Sequence, residues 1–187
     1  MNRFAFSRGF TVVELMVTLA IAAILLAVAV PSFTTFAQKR AISQKTVQVR
    51  NALDLARGLA LSQRQVWTVC TVDASNSCVN SAGLRLLVFR DDNANNDFDG
   101  GEMLQQEIDI NAIALQMSAS FGVPYMRFAR NGEALESGNL EVCSTNQTVD
   151  YGRQVIVFRS GRIRLSSDSD GDGYDDTGGT KIECPSS

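Results

Sequence analysis

The chain has 187 residues, of which 45% are apolar and 20% charged, and its formal net charge is −3 at neutral pH. This composition excludes a disordered tail and a collagen-like repeat, and the length suits one domain with an appendage. The sequence has no histidine, no G-x-S-x-G elbow and no P-loop, so we expect that the protein is not an enzyme and requires no cofactor.

The N-terminal segment is apolar for long enough to cross a bilayer. Phe10 to Val30 covers 21 residues with Glu14 as the only charge, and a helix of this length spans roughly 30 Å. A secretory signal or an ordinary membrane anchor leaves Glu14 unexplained, because a carboxylate in lipid costs a few kcal/mol. Cleavage after Gly9 instead makes Phe10 an amino terminus, and its positive charge lies one turn from Glu14. An amine of a neighbouring subunit is the other candidate partner.

The stretch "RGFTVVELMVTLAIAAILLAVAVPSF" resembles the N-terminus of type IV prepilins and type II secretion pseudopilins. The resemblance implies a leader at residues 1–9, cut between Gly9 and Phe10 by a prepilin peptidase, and N-methylation of Phe10. It also implies a transmembrane helix at 10–31, which assembles with other major and minor pilins through Glu14.

The same resemblance predicts where the protein is located in the cell and where its long helix is irregular. The chain is expected in the bacterial inner membrane as a single-pass protein with a periplasmic head, and on a pilus at the cell surface after assembly. A bend or local melting is expected near Pro31, because proline has no N–H for the helical ladder.

Residues 32–62 are predicted to continue the helix with one apolar side. The segment has no proline, and Gly58 is its only glycine. Apolar residues recur at helical spacing while the basic residues lie mostly elsewhere, which is typical of an amphipathic helix packed on a core. The apolar stripe consists of Ile42, Val49, Leu53, Ala56 and Ala60.

Residues 63–187 are predicted to form a β-rich head. Asn131-Gly132 and Ser160-Gly161 are predicted as two-residue hairpin turns, because glycine tolerates positive φ. The expected architecture is α+β, the type IV pilin fold, with the long helix packed on an antiparallel sheet. Enrichment in β-branched and aromatic residues predicts strands at Val66–Val72, Leu84–Arg90, Met126–Arg130, Leu140–Ser144 and Arg153–Leu165.

The head also resembles one group of these proteins in particular, the GspH and FimT/FimU family of minor pilins and pseudopilins. The resemblance is carried by "LDLARGLALSQRQVWTVC", "VFRDDNANNDFDGGEML", "RFARNGEAL", "LEVC" and "VIVFRSGRIRL", in this order. It implies a low-abundance subunit that primes pilus assembly at or near the tip. The alternative is a GspH-like minor pseudopilin of a type II secretion system.

Four cysteines lie beyond the apolar segment, where an exported head meets an oxidising compartment. Three pairings are possible. We expect Cys70–Cys78, which closes a short loop, and Cys143–Cys184, which pins the acidic C-terminal tail. A zinc site is disfavoured, because the sequence has no histidine and no C-x-x-C spacing.

Two acidic stretches are candidate calcium loops. "DDNANNDFDGGE" has oxygen ligands at the spacing of a calcium loop, with Asn96 where glycine is usual; its ligands would be Asp91, Asn93, Asn95, Asp97, Asp99 and Glu102. "DSDGDGYDD" in the tail offers Asp168, Asp170, Asp172 and Asp176. The alternatives are a solvated turn for the first stretch and a flexible, extended acidic segment for the second.

Basic residues in the last predicted hairpin suggest binding to double-stranded DNA. Arg153, Arg159, Arg162 and Arg164 lie there, and Arg162 and Arg164 point to the same face of a strand. Two guanidiniums in this arrangement could hold successive phosphates. "GRIR" also resembles the G-R-x-R element of FimT-type pilins that bind DNA in natural transformation.

The overall charge favours a different role for these arginines. Loss of Arg3 and Arg8 with the leader leaves 15 basic and 20 acidic residues, a net charge of −5. Such a field does not steer DNA toward the protein. Arginines that solvate a strand face or pair with nearby acids are therefore the alternative.

Overall fold

The computed structural model describes residues 10–110, 113–144, 151–177, 180–182 and 184. The chain divides into two compact units, which meet in sequence between Ala37 and Gln38. One long α-helix, α1, runs Val12–Gln63 and contributes residues to both units.

In the first unit, every side chain from Phe10 to Ala37 is exposed. By length and composition, α1 is the one helix of the described residues that is apolar enough to cross a membrane. It continues through Pro31 without a break, so the expected local melting is not observed there. The hydroxyls of Thr34 and Thr35 donate to the Pro31 carbonyl at 2.9 and 3.1 Å.

In the second unit, the described strands form two larger antiparallel sheets and one small pair. The strands are β1 Trp67–Val72, β2 Cys78–Val79, β3 Arg85–Arg90, β4 Met103–Asp109, β5 Ile113–Ala119, β6 Tyr125–Phe128, β7 Gly138–Ser144, β8 Gly152–Val157, β9 Ile163–Leu165, β10 Asp176–Thr177 and β11 Thr180–Lys181. The first sheet has the order β2-β1-β3-β4, with β6 also paired to β1. The second sheet has the order β5-β7-β8-β9, and β10 pairs with β11.

The five predicted strand regions are confirmed, and the last of them divides into β8 and β9 around a turn. The prediction missed β4 and β5, together with the two-residue strands β2, β10 and β11. In β5, Ile113, Leu115 and Met117 are buried on one face, so a period-two signal was present in the sequence. In β4 only Ile108 is buried, and the polar sequence forms a strand because it pairs with β3.

The core lies between α1 and the two larger sheets. All five residues of the predicted apolar stripe are buried, and they belong to one cluster with Trp67, Phe128 and Leu140. The predicted α+β architecture, with a helix packed on antiparallel sheets, is therefore confirmed. Three alanines, at positions 52, 56 and 60, are completely buried in this contact, and their small size lets the strands approach the helix closely.

The two predicted glycine turns exist, but each loop has three residues instead of two. The N–H of Ala129 donates to the carbonyl of Glu133, and the N–H of Phe158 donates to that of Arg162. Gly132 and Gly161 take the third position with φ of +78° and +76°. This pattern is a type I turn followed by a left-handed glycine. The dipeptides Asn-Gly and Ser-Gly alone do not distinguish such a loop from a two-residue turn.

Both expected disulfides are present. Cys70 bonds to Cys78, and Cys143 bonds to Cys184. The second bond joins β7 to the C-terminal tail across 41 residues of sequence, so the tail is covalently fixed to the second sheet.

The two glycine turns contact each other and α1, which gives a testable requirement for Gly161. A Cβ at this position would lie 1.9 Å from the Gly132 carbonyl oxygen and 2.8 Å from Arg57 Nε. Gly161→Ala is therefore expected to lower the free energy of unfolding by roughly 2–4 kcal/mol, from steric overlap and left-handed strain together. The measurement is denaturant unfolding.

The matched control is Gly171→Ala. Gly171 has a similar φ of +81° but no atom within 4 Å of its Cβ position. This change is expected to cost only the backbone strain, about 1–2 kcal/mol. Equal losses in the two variants would show that the contact between the turns does not matter for stability.

Candidate functional site

The start of α1 is closed by reciprocal hydrogen bonds between Thr11 and Glu14. The N–H and hydroxyl of Thr11 donate to Glu14 Oε2 at 3.0 and 2.8 Å, and the Glu14 N–H donates to Thr11 Oγ1 at 3.2 Å. This is a capping box, which satisfies N–H groups that the first helical turn leaves unpaired. Thr11 was absent from the predicted site residues, although the Thr-x-x-Glu spacing is a visible signal for this motif.

The capping box gives Glu14 a partner within the chain, next to the predicted cleavage point. Phe10 precedes the cap and is 76% exposed. Gly9 and the rest of the predicted leader, residues 1–9, lie outside the described residues. The amino terminus that cleavage would create at Phe10 therefore lies one residue before the cap.

The β8–β9 hairpin brings two of the four predicted arginines together. The guanidinium carbons of Arg162 and Arg164 lie 4.5 and 5.7 Å from the centre of the Phe158 ring, and both side chains are exposed. Ile163 between them is buried, so the two arginines share the outer face as predicted. Stacking on the ring restrains the guanidiniums and leaves their N–H edges available to an anion.

Arg159 and Arg153 differ from this pair. Arg159 is exposed and lines a groove of about 420 Å³ together with Phe158, Ile156 and Arg164. Arg153 Nε instead donates to the buried Asp175 carboxylate at 2.8 Å, and Ser166 Oγ donates to the same oxygen at 2.6 Å. Arg153 is therefore engaged in holding the tail, as the ion-pair alternative predicts, and three of the four arginines remain candidates for an anion site.

Comparison with known proteins assigns the chain to a family. The model of a family described as type II transport protein GspH matches residues 45–161, which is more than half of the chain. The chain belongs to the GspH family. A prokaryotic N-terminal methylation motif also matches, at residues 5–30. A search of curated proteins finds no match.

Two solved structures are similar to this GspH-family chain. The type IV minor pilin FimU of Pseudomonas aeruginosa has a TM-score of 0.51 at 20% identity, covering 71% of this chain and 92% of that one. The minor pseudopilin EpsH of the type 2 secretion system of Vibrio cholerae has a TM-score of 0.48 at 16% identity, covering 66% and 94%. The likeness to FimU confirms the pilin fold.

Family and motif together make this GspH-family protein a minor pilin or pseudopilin, a subunit that assembles with other pilins and is structural in role. They also agree with an anchor in the membrane, since the methylation motif coincides with the apolar start of α1. The family match ends at residue 161, so Arg162 and Arg164 of the β8–β9 hairpin lie just beyond it.

The first acidic stretch uses most of its oxygens within the chain. The Asp97 carboxylate accepts the Cys78 N–H at 2.7 Å, and Asp99 accepts the side-chain amides of Asn93 and Asn95, both at 2.7 Å. Asn96 has a φ of +69°, the left-handed conformation that a calcium loop requires at this position.

The remaining acids of this stretch are also engaged. Glu102 accepts the N–H groups of Asp92 and Asp99, and one oxygen of Asp91 accepts the Asn96 N–H. These contacts support the solvated-turn alternative, because most of the candidate ligand oxygens accept hydrogen bonds within the chain. The other oxygen of Asp91, Oδ1, is buried and has no hydrogen-bond partner among the described residues.

The tail brings three of its four candidate ligands together. Carboxylate oxygens of Asp168, Asp170 and Asp176 lie within 4.8 Å of one another. Among the described residues, this is the cluster of carboxylates that is close enough to hold a metal ion. Asp172 is not part of it and accepts the Tyr174 N–H at 2.8 Å. The N–H groups of Gly171 and Gly173 donate to the Asp168 carboxylate and lower its pKa.

The acidic tail folds back onto the head instead of staying extended. Ser167 bridges to Asp176, and Lys39 of α1 donates to the Gly173 carbonyl at 3.4 Å. The ammonium groups of Lys39 and Lys181 lie 4.7 and 4.0 Å from the centre of the Tyr174 ring. These contacts hold the tail in place, so its carboxylates stay close together despite their repulsion.

Calcium binding stays a prediction, and the tail is the better site for it. Calcium at about 100 times its Kd is expected to stabilise the full-length protein in detergent by about 2.7 kcal/mol relative to chelator, seen as a higher thermal midpoint. Asp168→Asn is expected to remove this difference, and Asp99→Asn in the first loop is the matched control that keeps it. An equal midpoint with calcium and with chelator would reject both loops.

Proposed function

We propose that this protein is a minor pilin of a type IV pilus, inserted through α1 and acting in pilus assembly at or near the tip. The proposal rests on the exposed surface of residues 10–37, which is almost entirely apolar and has no cover of its own. A membrane covers such a surface before assembly, and neighbouring helices cover it in a filament. The likeness to FimU, a type IV minor pilin, supports the choice of a pilus.

A second candidate is a minor pseudopilin of a type II secretion system. The description of the matched family, type II transport protein GspH, favours it directly. Both candidates use the same helix-mediated assembly, and the neighbouring subunits would be pilins in one case and pseudopilins in the other. The location of the assembled protein distinguishes them, because a pilus extends from the cell surface.

The finer part of the proposal is that the head binds DNA through Arg162 and Arg164 in natural transformation. The observation that carries it is the stacking of both guanidiniums on Phe158, which presents two positive charges on one exposed face. In a protein with an excess of acidic residues, only such a local patch can attract a polyanion. Contacts of this kind bind phosphates and weaken as salt is added.

Assembly is tested by changing Glu14 in cells. Glu14→Lys is expected to abolish incorporation, because it replaces the capping carboxylate with a cation in an apolar helix and repels the amine at Phe10. We expect at least a tenfold loss from pili sheared off the cell surface, measured by immunoblot, with protein retained in the membrane. Mass analysis of the incorporated protein should give a chain that begins with N-methylated Phe10.

The matched control is Glu107→Lys, which makes the same charge change at a partly exposed head residue. It should assemble normally. Normal assembly of Glu14→Lys, or Met1 retained in sheared filaments, would contradict the proposed mode of insertion. Wild-type protein found only in the cell envelope, and never in sheared pili, would favour the secretion candidate.

DNA binding is tested by titrating the full-length protein in detergent with labelled duplex DNA. Arg162→Ala/Arg164→Ala is expected to weaken binding and to reduce the slope of log K against log salt by about 0.9 for each phosphate that the variant no longer neutralises. Arg50→Ala/Arg90→Ala removes the same charge from arginines that are paired with Asp54 and Asp92, and should bind as the wild type does. No binding at low salt, or equal binding by the hairpin variant, would rule out this role.

A further inference from the structure

Phe121 is an exposed aromatic residue in a strained turn between β5 and β6. Its side chain is 83% exposed, more than any other large apolar side chain of the described head. Its φ of +68° lies in the left-handed region, which disfavours a bulky residue. Asparagine or glycine is the ordinary choice for such a turn. Neither packing nor turn preference therefore explains a phenylalanine here, whereas contact with a ligand would.

The backbone on both sides of Phe121 is held in place. The Ser120 N–H donates to the Ser137 carbonyl at 2.7 Å, and the Ser137 N–H donates back to Ser120 Oγ at 3.1 Å. On the other side, the Asn80 side-chain amide donates to the Gly122 carbonyl at 3.4 Å. The backbone of the turn is thus held beside Ser137, which lines the groove that contains Phe158.

Phe121 follows β5 closely in the chain, and β5 is an edge strand of the sheet β5-β7-β8-β9. The solvent-facing surface of that sheet is here named the outer sheet face. Ser118, Asn139, Ile156 and Arg164 lie in register across that face. Three strand spacings separate β5 from β9, a width of roughly 14 Å. The sheet therefore has an aromatic residue beyond one edge strand, and its outer face has polar and apolar side chains with one acid, Glu141, in the middle and arginines at the other edge.

We propose that single-stranded DNA binds across the outer sheet face, with a base stacked on Phe121 and phosphates at Arg162 and Arg164. The inference rests on the proposed DNA binding and names the form of DNA that the site takes. An aromatic platform beside a positive groove is the arrangement that binds single strands without sequence preference, and sites of this kind hold a few nucleotides.

The arrangement of Phe121 and the arginines favours single-stranded DNA over duplex DNA. In a duplex the bases are stacked on one another, so Phe121 has no free base to meet and only the arginines make contact. In a single strand the bases are free to turn toward the ring while the backbone follows the face to Arg164. Apolar Ile156, which lines the groove between, suits the flat surface of a further base.

The test compares binding of a labelled single strand and of the equal-length duplex to the full-length protein in detergent at low salt, by fluorescence anisotropy. The wild type should bind the single strand more tightly. Phe121→Ala should weaken single-strand binding about tenfold, the order of one base stack, and leave duplex binding unchanged. Phe121→Tyr, which keeps the ring, should restore binding, and Arg162→Ala/Arg164→Ala should weaken both forms.

Two further variants separate binding from folding. Phe121→Asn suits the left-handed turn, so its thermal midpoint should equal or exceed that of the wild type while single-strand binding falls. Leu104→Ala, which removes an exposed apolar side chain from β4, should change neither property.

Each outcome decides between the proposals. Equal affinity for the two forms, or unchanged single-strand binding in Phe121→Ala, overturns the inference. Duplex binding without single-strand binding overturns it and leaves the proposed DNA role intact. Absence of binding to either form overturns both.

Discussion

The head depends on the contact between the second half of α1 and the two sheets. Small and branched side chains of the helix, among them Val49, Ala52 and Ala56, are completely buried beneath strands of both sheets. Burial of apolar area is the main favourable term in folding, and close packing of alanines brings backbone near backbone. The glycine turns at Gly132 and Gly161 and the side chain of Arg57 extend this contact to the hairpin that carries the arginines.

The first half of α1 is not covered by any other part of the described chain, whereas the second half is packed in the head. This difference explains how one helix serves both folding and assembly. In the head, an apolar stripe is matched by polar residues on the solvent side. From Phe10 to Ala37 the side chains are apolar almost all round and exposed in the isolated chain. A helix that is apolar on every side needs lipid or other helices around it. Stability of the head and insertion into an assembly are thus encoded in separate parts of one helix.

The contacts of individual charged side chains in the head decide which surfaces are basic, and the net charge of the chain does not show this. Arg153 is neutralised by Asp175, and the acidic tail is held against Lys39 and Lys181. Arg162 and Arg164 are stacked on an aromatic ring and face solvent. An excess of acids and an exposed basic face can therefore coexist, because contacts within the chain decide which charges remain available.

The sequence by itself determined the features that rest on local patterns. Helical periodicity and hydropathy defined α1 and its buried stripe, and β-branched runs located β1, β3 and β7. The even number of cysteines indicated disulfides, and closure of a short loop by Cys70 and Cys78 favoured the pairing that the structure shows. Tertiary structure decided what distant residues do to one another. The polar strand β4 exists because β3 pairs with it, and Arg153 separates from Arg162 and Arg164 because Asp175 lies beside it. The tail carboxylates meet because the chain folds back on itself, and Phe121 lies outside the core in the turn between β5 and β6. Such contacts depend on three-dimensional proximity, which local periodicity does not contain.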